Sequence, residues 1–174
     1  KRLMEFGITE IFGGWFKWYI KDNEKKVEIT ASRYAKEDFV KQLLISLTDI
    51  IRDRTEKRFF IFAEPDYTTI IMSADNNDNF IMELAFEHMD DFTDRDIKNA
   101  RHYCKFETSM YLMKTEFVPT ILKAFRYYER SKLMLDYYEE NWTYAFGESD
   151  SEKFTFPFDE LRKLHITASD INIK

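Results

Sequence analysis

Phe59-Phe60-Ile61-Phe62-Ala63, Tyr67-Thr68-Thr69-Ile70-Ile71-Met72 and Asn79-Phe80-Ile81-Met82-Glu83-Leu84-Ala85-Phe86-Glu87 are three apolar runs. Glu64-Pro65-Asp66 divides the first pair, and the second run closes on Asp75-Asn76-Asn77-Asp78. Aromatic and β-branched residues fill a pleated, half-buried surface well, and Pro, Asn and Asp punctuate strands. Parallel strands need crossovers of a dozen or more residues, so links this short predict an antiparallel meander. Tyr103 to Ser109 is expected to add one more strand.

Upstream, Ile11 to Ile20 is aromatic-rich, Asp22-Asn23-Glu24 signals a turn, and Val27 to Ser32 alternates. Together they read as a hairpin, with Gly13-Gly14 as a bulge or the start of its first strand. From about Lys36 to Arg52 the period changes: Phe39, Leu43, Leu47 and Ile50 recur every three or four residues, the stripe of an amphipathic helix. Glu37 and Asp38 are placed in its first turn, where acids suit the positive helix end.

Downstream the pattern is helical. Phe117, Ile121, Phe125 and Tyr128 mark a helix over about 116–130, with Thr115 as its N-cap and Pro119 in its first turn. Leu133 to Trp142 predicts a second helix, and Pro157-Phe158-Asp159-Glu160-Leu161 opens a third. Strands followed by helices predict an α+β fold. The expectation is one domain over 1–174: an antiparallel sheet of about five to six strands, one early helix, and a helical part over about 113–165 packed on the sheet, with 166–174 as a tail.

A chain of 174 residues with 17 Phe, 10 Tyr and 3 Trp can bury a large core without metal or disulfide. The single cysteine, Cys104, leaves no internal disulfide, which predicts a reducing, cytoplasmic setting. No run approaches the roughly 18 apolar residues of a membrane span, so no membrane partner is expected.

Chemistry-bearing patterns are sparse. His88, His102 and His165 stand apart, and His102-Tyr103-Cys104 lacks further metal ligands nearby. No serine sits in a nucleophile elbow, and Gly13-Gly14 is not a phosphate loop. Glu83 and Glu87 share a face on a strand, with Ala85 between them, a pair that could do acid–base or metal work; a polar outer face explains it more simply. Asp75-Asn76-Asn77-Asp78 lacks the Gly and closing Glu of a calcium loop and reads as a turn. Lys123, Arg126, Arg130 and Lys132 read as the wet face of a helix, so nucleic acid is not expected as a partner. These patterns predict a protein that is not an enzyme and takes no cofactor or metal.

Charge is blocked along the chain. Residues 61–100 carry ten acids against two bases, and 136–160 carry eight acids and one lysine. Such blocks repel polyanions and attract basic partners, unless they are simply solvated faces. The acids placed in reachable turns are Glu64, Asp66, Asp75, Asp78, Asp90, Asp91 and Asp94, the candidate partner-binding residues.

The ordered set Trp15-Phe16-Lys17-Trp18-Tyr19-Ile20, Phe39-Val40-Lys41-Gln42-Leu43-Leu44, Ala63-Glu64-Pro65, Phe117-Val118-Pro119-Thr120-Ile121 and Phe156-Pro157-Phe158-Asp159-Glu160-Leu161 resembles small bacterial immunity proteins of polymorphic toxin systems. The resemblance spans roughly 11–165 and implies a cytoplasmic protein that neutralises a cognate toxin by binding it one to one. An acidic surface meeting a basic toxin domain would suit that role. The alternatives are a small-ligand-binding or regulatory domain, its pocket lined by sheet aromatics, and an enzyme working through Asp and Glu alone.

Overall fold

A computed structural model describes residues 2–33, 37–88, 97–143 and 153–170. Its first sheet holds β1 (Glu5–Phe12), β2 (Trp15–Lys21) and β3 (Lys26–Ser32) in that order. Helix α1 (Phe39–Asp53) leads to a second sheet of β4 (Lys57–Ala63), β5 (Asp66–Ala74), β6 (Asn79–His88) and β7 (His102–Ser109), again in chain order. Every neighbouring pair is antiparallel. Helices α2 (Met110–Leu112), α3 (Val118–Arg126), α4 (Lys132–Thr143) and α5 (Phe158–Ser169) complete the α+β fold. Among the described residues no helix is long and apolar enough to cross a membrane.

The expectation of one sheet with about five to six strands is corrected: among the described residues seven strands form two sheets. The missed strand is β1, and the reason lies at Gly13-Gly14. Both glycines have positive φ, 60° and 85°, so they make the two-residue turn that joins β1 to β2, with Phe12 facing Trp15 across it. They are neither a bulge nor a strand start. The turn is tied on both sides: Gly14 N–H donates to the Asn141 carbonyl at 2.7 Å, and Arg33 N–H donates to the Gly14 carbonyl at 2.8 Å.

The two sheets meet through β3. It abuts β4, and Lys25, just before it, donates to the Lys105 carbonyl and lies 4.8 Å from the Phe106 ring centre on β7. The inner face of the meander, with Phe59, Ile61, Ile70, Met72, Phe80 and Leu84, shares one core with the broad apolar face of α1. At the first sheet the core is a ring cluster. Phe16 stands edge-on to Phe39 at 5.1 Å and to Trp142 at 5.3 Å, Trp18 stacks on Phe39 at 5.5 Å, and Tyr138 meets Phe156 at 5.1 Å. Such pairs add about 0.5–1.5 kcal/mol each beyond their area. β2, α1 and α4 are thereby locked together.

Two helix starts differ from expectation. Asp38 is the N-cap of α1 and not a first-turn residue; its carboxylate accepts from Val40 N–H at 3.1 Å. Ser109, not Thr115, caps the helical stretch after β7, its hydroxyl accepting from Leu112 N–H at 3.1 Å. Thr115 lies in a π-turn, Met113–Phe117, which widens the helix ahead of Pro119, the residue that cannot supply an N–H. The π-turn keeps Met113, Phe117, Ile121 and Phe125 facing the core on both sides of the proline.

Candidate functional site

The described candidate acids fall into two separate groups. Glu64 and Asp66 flank the β4–β5 turn, and both are exposed. Asp75 and Asp78 occupy the β5–β6 turn at the other end of β5, about 30 Å away for a nine-residue strand. Asp90, Asp91 and Asp94 lie outside the described residues.

Asp75 and Asp78 hold the fold itself. The Asp75 carboxylate accepts from Asn79 N–H at 3.0 Å, the Asn79 side chain at 3.1 Å and Asn77 N–H at 2.9 Å. These donors, Asn79 first, hold its carboxyl below the usual range. Asp78 sits at φ 59°, a left-handed conformation that Asp tolerates, and pairs with Arg54 Nε at 2.8 Å. Its carbonyl accepts from Met110 N–H at 2.9 Å, so one residue joins the end of α1, the β5–β6 turn and the start of α2.

Glu64 and Asp66 border something different. On the outer face of the second sheet, Phe60, Phe62 and Tyr67 form an aromatic trio with ring centres 6.2–6.4 Å apart. Phe60 and Phe62 are half-buried. Tyr67 Oη donates to Glu87 Oε2 at 2.7 Å, and Tyr103 Oη donates to Glu83 Oε1 at 2.6 Å. The spacing that puts Glu83 and Glu87 on one face holds, and each carboxylate carries its own phenol donor. Beside the trio a hollow of about 360 Å³ is lined by Asp66, Tyr67, Glu87, His88, Arg101 and His102. Among the described residues no group of three or more His, Cys, Asp or Glu could hold a metal ion. Cys104 faces Leu84 across β6–β7, and burial pushes its thiol pKa up.

A second concavity among the described residues was not visible in the sequence. A cleft of about 990 Å³, open to solvent, runs between β1 and the corner of α3 and α4. Tyr19, Tyr127 and Tyr137 give it an aromatic lining, and Lys123 and Arg130 stand on its helical wall. Gly7 is what lets Tyr19 lie across β1: a Cβ there would meet the Tyr19 ring at 2.2–2.4 Å. Lys26 Nζ lies 4.4 Å from the same ring centre. Arg130 lies 4.6 Å from the Tyr127 ring centre, the stacking guanidinium favours. At the back of the cleft Tyr128 is buried beside Tyr137 and Tyr127, and burial first, then those neighbours, pushes its pKa up to about 12.

Comparison with known proteins adds no relative to this picture: no family model, no curated protein and no solved structure matches the chain.

Proposed function

We propose that this chain is a protein-binding module without chemistry of its own, an immunity-type protein that neutralises a toxin by occupying it. The observation that carries the reading is the pair of half-buried rings Phe60 and Phe62, backed by the buried Tyr67, with the exposed acids Glu64 and Asp66 next to them in the chain. Aromatic anchors ringed by charge are the common composition of a binding patch, and carboxylates on the rim favour a basic partner. The ordered sequence resemblance supports the biology. The acids at the β5–β6 turn already hold the fold together, so the proposal rests on Glu64 and Asp66.

A small-ligand site would be served best by an enclosed space between sheet and helices. That space is filled by the rings of Phe16, Trp18, Phe39, Tyr138 and Trp142, all 2% exposed or less.

The test begins with co-purification from the source cell and identification of the captured protein. A basic toxin, bound one to one and inhibited, is the expected result. Glu64→Lys with Asp66→Lys should weaken that complex and flatten its salt dependence, because rim charges act mainly through long-range attraction. An affinity unchanged by the double reversal would remove this face from the proposal.

A further inference from the structure

We infer that the cleft between β1 and the α3–α4 corner docks an acidic segment of a partner protein. The inference stands on other elements than the acidic outer face and does not depend on it.

The charges select the occupant. Glu5 and Glu10 on the strand wall are each matched by a lysine on β2, with Lys21 at 3.3 Å from Glu5 and Lys17 at 3.6 Å from Glu10. On the helical wall Lys123 and Arg130 are exposed, with Arg130 spread over Tyr127. The cleft therefore offers positive charge inside a chain whose net charge is −6. Tyr127 and Tyr137 are 47% and 40% exposed, large amphipathic rings of the kind that anchor polypeptides at low entropic cost.

Two other occupants fit less well. A nucleic acid would bring a continuous row of phosphates against the strand carboxylates and the net negative chain, with only two cations on the helical wall to grip it. A strand added to the β1 edge would find the Phe6 N–H already donated to Thr120 Oγ1 at 2.9 Å and the register broken by a bulge between Ile8 and Glu10. A polypeptide with sparse carboxylates among apolar residues meets Lys123 and Arg130 with the former and the tyrosines with the latter.

The probe is a fluorescein-labelled random copolymer of glutamate and tyrosine, followed by anisotropy against the full chain. Comparison probes are a lysine–tyrosine copolymer and an oligothymidylate. Binding of the glutamate–tyrosine probe should weaken with added salt. It should fall about tenfold or more in a Lys123→Glu, Arg130→Glu double variant. Tyr127→Ala should weaken it without moving the unfolding midpoint. Equal binding of the lysine–tyrosine probe, tighter binding of the oligothymidylate, or full affinity in the double variant would each overturn the inference. Phe62→Ser, which changes the outer face without changing any charge, should leave probe binding unchanged, so the two surfaces succeed or fail separately.

Discussion

Trp142 donates its indole N–H to the Asp38 carboxylate at 3.2 Å, which fastens the N-cap of α1 to the last turn of α4. The same Asp38 oxygen caps α1, while its second oxygen is buried without a hydrogen-bond partner among the described residues. Burial raises the Asp38 pKa, and the Trp142 and Val40 donors offset only part of that effect. A carboxyl whose folded pKa is raised stabilises the fold below its unfolded pKa of 3.8 and loses that contribution as pH climbs through the folded value. Asp38→Asn keeps both bonds without the buried charge, since Asn caps as well as Asp. Its stability relative to wild type should therefore improve as pH rises above about 4, as read by urea unfolding. Asp38→Ala, which loses both bonds, should cost about 1–2 kcal/mol. If the Asn-to-wild-type difference is flat with pH, the buried carboxyl has no such effect.

The acids of the two β5 turns should separate cleanly on substitution. Glu64→Lys and Asp66→Lys should move stability by no more than about 0.5 kcal/mol, as exposed sites do. Asp75→Ala removes the acceptor of three donors and should lower the thermal midpoint visibly. Because its folded pKa is lowered, the Asp75 contribution is present above the ordinary carboxylate range and is lost as pH falls below about 4. The midpoint gap between wild type and Asp75→Ala should close on acidification. A gap that persists there would mean the turn is held by something other than the charged carboxylate.

On the outer face, Tyr67→Phe and Tyr103→Phe each delete one phenol–carboxylate bond and should cost about 1 kcal/mol apiece. The bonds share no partner, so the double variant should be additive within about 0.5 kcal/mol. Strong coupling would show that the two carboxylates sense each other across Ala85.

Gly7 and Tyr19 form a natural double-mutant cycle. Gly7→Ala should be destabilising in the native background, because its Cβ displaces the Tyr19 ring. In a Tyr19→Ala background the same change should be neutral or stabilising, since Ala suits a strand better than Gly. A Gly7→Ala effect that does not depend on residue 19 would deny the close approach.

The meander and α1 were legible because their patterns are local: three apolar runs with turn residues between them, and a stripe of Phe39, Leu43, Leu47 and Ile50. β1 was not, because the irregularity between Ile8 and Glu10 breaks the alternation that marks a strand. Helix residues 110–115 were hidden by the π-turn, which lets a proline sit inside a longer helical stretch. Asp75 and Asp78 were rightly placed in a turn. The use of Asp78 depends on Arg54, 24 residues away, and no spacing rule reports that. The cleft was invisible for a similar reason: Tyr19 and Tyr127 are neighbours only after β1 has packed on α3.

The Gly13-Gly14 turn bears on how the molecule can be handled. Short glycine hairpin tips are usual places to splice in a reporter or reopen a chain, because nothing depends on them. Here Gly14 clasps Asn141 on one side and Arg33 on the other. A tag inserted at that tip would break both bonds, one of them the backbone tie between the first sheet and α4, so fluorescent or affinity handles belong elsewhere.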